Sequence, residues 1–379
     1  MSDYEIIIAG AGPSGCATAL QLSNLDPGLA GRVLLLDKAV FPRTKLCAGG
    51  VSADAESVLK QLGVDYDLPA VTVNTTKFIL PTGCLTFQQP VHFRVVRREQ
   101  FDHFLFRSAR ERGVVTRDGE AVEGVVNTPD GVVVQTSKDE YHAKILVAAD
   151  GANSTLRGKF GLSRARRVMV AMELHAPLAD ASIPRFGDNT AIVDLSVLSD
   201  GVPGYCWVFP TVGEGPTVVS LGILAAPFGG GEAAPLRDAF ARWLAKLGLN
   251  ISAFELHAHP ILRYEPKSAC SLRRVLFVGD AAGVEPLFGE GIGSALALGA
   301  IAARSAFDAL REGDFSFSDY EERIRLSSTG STMRRRRMIA RRLYSKPKLA
   351  RLFLHRGILL RGLALLRPPE LGAKLTWEG

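Results

Sequence analysis

The chain has 379 residues, 47% hydrophobic and 22% charged, an ordinary balance for a globular protein with a large core in about two domains. Five cysteines (Cys16, Cys47, Cys84, Cys206, Cys270) without regular spacing argue against a disulfide framework or a zinc site, and for a reducing, cytoplasmic compartment. The net charge of +6 is uneven, because 13 basic residues face two acidic ones from Ser331 onward and the body is therefore net acidic.

The opening "MSDYEIIIAG" lacks a basic leader region, and its apolar run is too short for a signal peptide, so it reads as a strand. No charge-free apolar stretch of about 18 residues follows anywhere, which argues against a membrane span. "SGCATALQLSNL" has helical spacing and "RVLLLDK" is a buried strand, so the first 38 residues predict one βαβ unit. A helix is predicted around Ala53 to Leu62. Another covers "REQFDHFLFRSARERG", with Phe101, Phe104, Leu105 and Ala109 on one stripe and Gly113 as its stop. "GVVVQT" and "AKILVAAD" read as strands, the second central in a parallel sheet.

From about Arg167 to His259 the texture becomes antiparallel. "VMVAMELHA", "TAIVDLSVL", "YCWVFPTV" and "TVVSLGIL" are strand-like, with one amphipathic helix near Pro235 to Leu247. "RRVLFVGDAAG" returns to the buried-strand style, followed by the small-residue helix "GIGSALALGAIAARSAFDAL". The first domain is thus discontinuous.

"GAGPSG" places Gly10, Gly12 and Gly15 at G-x-G-x-x-G spacing between a strand and a helix. There the glycines permit a tight turn and the helix N-terminus faces a pyrophosphate. Pro13 and Ser14 open that helix. Asp37, with Lys38 beyond it, ends the next strand 22 residues after Gly15, where a ribose-binding carboxylate belongs. "LVAADGANSTLRGKFG" sets Asp150 after a strand, with Ser154 and Arg157 beyond. "VLFVGDAAGVEPLFGEGIGSA" sets Asp280 after another, then Pro286, Gly289, Gly291 and Ile292 at a helix start.

Together the three segments resemble the fingerprints of flavoprotein monooxygenase-like FAD enzymes. The resemblance implies FAD as cofactor, Asp280 near its ribityl or pyrophosphate region, and Gly289 to Ile292 beside its ring. The implied fold is α/β. Residues 1–75, 94–160 and 265–330 form a Rossmann-like FAD-binding domain. Residues 76–93 and 161–264 form an inserted antiparallel β-sheet substrate domain, and 331–379 a basic amphipathic helical tail.

Two further segments narrow the resemblance. In "KAVFPRTKLCAGGVS", Pro42, Arg43, Lys45, Cys47, Gly49 and Gly50 resemble the P-x-x-K-x-C-G-G-G segment of the geranylgeranyl reductase family, with Ala48 in place of the first glycine. The matching cysteine in that family lies close to the flavin, which implies Cys47 as a cofactor contact and proton donor. A small buried hydrophobe is the structural alternative. "RREQFD" resembles a flavoprotein helix start and implies Arg98 at the FAD phosphates or ribityl chain, against a solvated arginine.

"GYCWVFPTVGEGPTVVSLGIL" resembles the same family's Y-x-W-x-F-P-(x)n-G-x-G segment. Gly222 matches the first glycine and Ile223-Leu224 replace x-Gly. Strand alternation sends Tyr205, Trp207 and Phe209 to one face. Three rings there make an apolar wall able to select a flat, branched, uncharged chain, and the resemblance implies that it grips an isoprenoid; the alternative is a face packed on its own helix. Cys206 points the other way, into the core.

The tail interleaves arginines with Leu343, Leu349, Leu352, Phe353, Ile358, Leu359, Leu363 and Leu366, as on an anionic membrane surface. Packing on the body is the second reading. Nucleic acid is disfavoured because the body is acidic and no nucleic-acid module is recognised.

These features predict an FAD-dependent reductase of isoprenoid C=C bonds in a prenyl lipid or prenylated quinone, with NAD(P)H or ferredoxin as electron donor. Cys47, Tyr205, Trp207 and Phe209 are its expected catalytic set. The alternatives are a monooxygenase of a lipophilic metabolite and a flavin-binding scaffold. A flavin halogenase is disfavoured because no Trp-x-Trp-x-Ile-Pro segment is present.

Overall fold

The computed structural model describes residues 3–162, 168–177, 189–212, 218–228, 235–347 and 374–378. The strand Tyr4–Ala9 lies inside the first of two sheets, and its Ile6, Ile7 and Ile8 are fully buried, as a strand covered on both faces requires. It pairs in parallel with Val33–Leu36 on one side and Glu140–Ala148 on the other. Val275–Phe277 extends the parallel set beyond Glu140–Ala148, and Val115–Arg117 extends it beyond Val33–Leu36. A hairpin of Val122–Asn127 and Val132–Thr136 adds to Glu140–Ala148 in antiparallel fashion.

The helix Pro13–Leu25 begins directly at the glycine turn, with proline in the first turn where its missing N–H is harmless. It packs on the helices Arg98–Glu111 and Gly291–Glu312. Gly299 makes the second crossing possible: a Cβ there would fall 2.3 Å from the Ser14 carbonyl oxygen and 3.0 Å from the Ala17 Cβ. Gly291–Glu312 is long and apolar enough to cross a membrane, yet 72% of its most apolar window is buried inside the protein.

The second sheet runs His257–Leu262, Val168–Pro177, Val218–Ala225, Gly204–Pro210, Thr190–Asp194, Ala70–Leu80, Gly83–Val96 and Lys374–Glu378, with Gly50–Ser52 attached to Gly83–Val96. One face receives the helix Leu236–Lys246. Phe240, Trp243 and Leu244 form a core there with Cys206, Val208, Leu221 and Ile223, so Cys206 does point away from the three rings. The opposite face closes a cavity against the first sheet's turns.

Three observations depart from the sequence reading. Ala70–Leu80 enters the second sheet six residues ahead of position 76, and its pairing with Thr190–Asp194 is parallel where an antiparallel sheet was expected. The segment "TAIVDLSVL" is strand only to Asp194, whose Oδ1 accepts the Ser196 N–H at 2.8 Å and turns the chain. Lys374–Glu378 is a strand rather than a helical end. It pairs with Gly83–Val96 and covers an edge that would otherwise expose backbone donors.

The tail's helical part is Ser328–Tyr344, capped by the Ser327 hydroxyl accepting the Gly330 N–H. Its Met333, Ala340, Leu343 and Tyr344 are buried against the body. Leu349, Leu352, Phe353, Ile358, Leu359, Leu363 and Leu366 lie outside the described residues.

Gly299→Val is expected to lower stability by about 1–3 kcal/mol through overpacking. The urea midpoint of the flavin-loaded protein reads this; an unchanged midpoint means the helices have room to part.

Candidate active site

Three strand-to-helix turns meet at one cavity of about 820 Å³. Gly10 has φ +111°, and a Cβ on it would lie 2.3 Å from the Ala149 carbonyl oxygen, so only glycine lets the first and second fingerprints touch. A Cβ on Gly279, at φ +57°, would come 2.5 Å from Ser14 Oγ, which brings the third fingerprint against the first. Gly10, Gly12, Pro13, Ser14, Asp37, Lys38, Cys47, Arg98, Asp150, Asp280, Gly289, Gly291 and Ile292 all line this cavity.

Two of the expected cofactor residues do not line it. Gly15 faces the strand below, where a Cβ would sit 1.9 Å from the Gly10 carbonyl oxygen, so its part is helix–strand packing. Pro286 is buried behind the wall. The turn it starts is held by Glu285, whose carboxylate accepts the N–H groups of Leu287 at 2.5 Å and Phe288 at 2.8 Å.

The donor and acceptor set at the fingerprints fits an FAD. Asp37 Oδ2 accepts the Ala11 N–H at 2.8 Å and Oδ1 the Ala39 N–H at 2.9 Å, which aims the carboxylate while lone pairs remain for a ribose diol. The helix Pro13–Leu25 has no side-chain cap at its N-terminus, so its first N–H groups face the cavity end as an anion site. Asp150 Oδ2 accepts the Leu156 N–H at 3.0 Å, while its buried Oδ1 has no partner among the described residues. Burial raises the Asp150 carboxyl despite those hydrogen bonds.

The middle of the cavity is cationic. Burial raises Asp280, with Lys45 and Arg98 pulling the other way, and burial lowers Lys45. Arg98 donates to Asp102 from Nε at 2.8 Å and from its terminal nitrogen at 2.9 Å, and Arg43 reaches the same carboxylate at 3.1 Å. Burial opposes the Arg98 charge, but Asp102 and the Cys47 sulfur outweigh it and raise its pKa. Arg98 is therefore a buried, locked cation in contact with Cys47, not a solvated arginine. Gly49, at φ +78°, is the glycine this loop requires, since a Cβ would lie 2.1 Å from the Val96 carbonyl oxygen. Ala48 needs no such freedom and lines the cavity.

The aromatic strand forms the facing wall. Tyr205, Trp207 and Phe209 all line the cavity, with the Tyr205 and Trp207 ring centres 6.1 Å apart and Phe209 packed 5.2 Å from Phe93. Tyr205 OH donates to the Phe288 carbonyl at 2.6 Å, tying the wall to the turn after Pro286. Burial pushes its phenol well up, so it stays neutral. Trp207 lies across Gly222, where a Cβ would fall 2.0 Å from the indole, which is why glycine stands there. Leu224 lines the cavity, and its Cδ2 sits 3.4 Å from the place a Gly289 Cβ would take.

A dinucleotide-binding flavoprotein fold with a second, mixed sheet is the class these elements define. The chain belongs to the FAD binding domain family, whose model matches residues 3–300. It is 28% identical over 364 residues to digeranylgeranylglycerophospholipid reductase 2 of Methanosphaera stadtmanae, covering 86% of this chain and 84% of that one. It is likewise 28% identical over 324 residues to the menaquinone reductase of Mycolicibacterium smegmatis, covering 79% and 75%. A geranylgeranyl bacteriochlorophyll reductase-like structure from Thermoplasma acidophilum superposes with TM-score 0.77 at 20% identity, over 96% of each chain, which supports the fold. The resemblance to prenyl reductases read from the sequence holds in these relatives.

The sequence reading missed Asp102, Glu173, His259, Glu285 and Arg336. Asp102 lies in the quoted "RREQFD", one turn after Arg98, and i,i+4 spacing was a usable signal. His259 carried none. It pairs opposite Ala171 and lines the cavity, and its Nδ1 is buried with no partner among the described residues. Burial first, then the Lys45 and Arg98 charges, push it from 6.5 down to about 4.

Between pH 6.5 and about 4 the unfolded chain binds the His259 proton and the folded one does not, so stability falls on acidification through that window. His259→Gln is expected to flatten the loss, which amounts to about 1.4 kcal/mol per unit of pKa difference. Urea titrations at several pH values read it; an identical slope in wild type and variant refutes the assignment.

Proposed function

We propose that this chain is an FAD-dependent reductase that saturates isoprenoid C=C bonds of a prenyl lipid or prenylated quinone. One observation carries the reading. The three FAD fingerprints and the three rings of the aromatic strand line the same cavity. FAD, when bound and reduced, supplies the hydride for one alkene carbon.

The chain's own residues do the rest. An isolated alkene develops little charge for a protein to stabilise, so positioning and exclusion of water carry the catalysis. Tyr205, Trp207 and Phe209 form an apolar wall, and Leu224 adds to it beside Gly289. The Cys47 Sγ, beside the locked Arg98 cation, is the proposed source of the proton. It donates that proton to the second alkene carbon, directly or through an ordered water. The electron donor in this reading would be NAD(P)H or ferredoxin.

The tail fits a lipid substrate. Arg335, Met338, Arg341 and Arg342 form an exposed stripe on Ser328–Tyr344, while Arg336 and Arg337 turn inward to Glu290 at 2.6 Å and Glu265 at 2.5 Å. We propose that the outward stripe rests on an anionic membrane face. Replacing Arg335, Arg341 and Arg342 together with glutamine is expected to lower binding to phosphatidylglycerol vesicles roughly 100-fold. Sedimentation reads this; undiminished binding removes the stripe from the interface.

The activity is tested by anaerobic single turnover. Adding a prenyl lipid to the reduced protein should reoxidise the flavin, and a saturated analogue should not. Trp207→Ala should slow this with flavin retained, and Cys47→Ala should slow it about 100-fold or more if the thiol is the proton donor. Full turnover in Cys47→Ala sinks the donor role. A long-lived hydroperoxide absorbance on admitting oxygen, without lipid-dependent reoxidation, replaces the reductase with a monooxygenase.

A further inference from the structure

We propose that Ser220 and Glu173 are positioning residues that lock the Trp207 indole flat against the sheet and thereby set the hydrocarbon the cavity accepts. The consequence for substrate rests on the reductase reading above. Trp207 stands opposite Gly222 in the strand ladder, and Gly222 stands opposite Glu173 on the next strand. Because Gly222 has no side chain, the indole crosses it and its Nε1 donates to Ser220 Oγ at 3.0 Å. Ser220 in turn donates to Glu173 Oε1 at 2.8 Å, and His175 Nε2 lies 3.1 Å from the same oxygen.

The direction of this chain follows from what each group is able to do. An indole N–H only donates, and an ionised carboxylate only accepts. Ser220 has one hydroxyl proton. It is donated in the hydrogen bond to Glu173, which leaves an oxygen lone pair facing the indole. Ser220 and Glu173 are only 1% and 2% exposed, so removing either leaves a buried polar group that water does not reach. A released indole turns its N–H edge toward the cavity or lifts off Gly222. Both outcomes replace a flat hydrocarbon-like surface with a polar or misplaced one at the chain-binding wall.

Ser220→Ala and Glu173→Gln test the lock in full-length, flavin-loaded protein, with Trp207→Phe as reference. Glutamine keeps the shape of Glu173, but its amide is able to donate to Ser220 and turn the hydroxyl proton toward the indole. Both variants are expected to keep full flavin occupancy, alter the Trp207 emission, and raise KM for a prenyl lipid about 10-fold, with a smaller change in kcat. Ser220→Thr retains the hydroxyl and restores emission and KM. In a Trp207→Phe background Ser220→Ala adds little, because the pair acts as one unit.

Unchanged emission in both variants, or full additivity with Trp207→Phe, overturns the lock. Altered emission with unaltered KM overturns its link to substrate. Emission is read without any lipid, so the lock is judged even if no prenyl lipid reoxidises the wild-type flavin, a result that would defeat the reductase reading instead.

Discussion

Three backbone turns approach one another more closely than any side chain allows, and the site exists because of that approach. Gly10 abuts the Ala149 carbonyl, Gly15 abuts the Gly10 carbonyl, and Gly279 abuts the Ser14 hydroxyl. Parallel strands put all three turns at the same end of the sheet, where ligands of open α/β sheets bind. The glycines therefore act as a set. Their gain is a rim of backbone N–H groups and aimed carboxylates with no side chains in the way.

The second sheet uses the two-residue alternation of strands in the opposite sense. Along Gly204–Pro210 and Val218–Ala225, one set of residues builds the core under Leu236–Lys246, and from the other set Tyr205, Trp207, Phe209 and Leu224 meet the cavity. On the cavity side a large residue is repeatedly matched by a small one. Trp207 faces Gly222 and Phe209 faces Ser220, which lets flat rings lie on the sheet rather than stand up from it. Tyr205 faces Leu224 instead, and the Leu224 side chain packs close to Gly289.

The helix Ser328–Tyr344 ties this wall to the protein surface. Tyr344 OH donates to the Leu287 carbonyl at 2.8 Å, next to the Phe288 carbonyl that Tyr205 holds. Arg336 lines the cavity and pairs with Glu290, which also takes a short hydrogen bond from Ser52. Two arginines of the basic segment pair with body acids, whereas Arg335, Arg341 and Arg342 are exposed.

Local chemistry was enough to read the glycine turns, Asp37, the strand and helix order and the aromatic alternation, because each depends on spacing within one or two elements. "YCWVFP" declares its face by period two alone, and "GAGPSG" its turn by three glycines. Other features had no local signal. The parallel pairing of Thr190–Asp194 with Ala70–Leu80 joins segments more than a hundred residues apart. His259 became a cavity residue only because the edge strand His257–Leu262 sets it beside Lys45 and Arg98. Glu173 and Ser220 met Trp207 only through the register of three strands. Sequence by itself determined which surfaces were apolar and where the backbone had to bend. Tertiary structure decided which polar groups were buried together, since that depends on strand register and desolvation, and neither is written in a single stretch of chain.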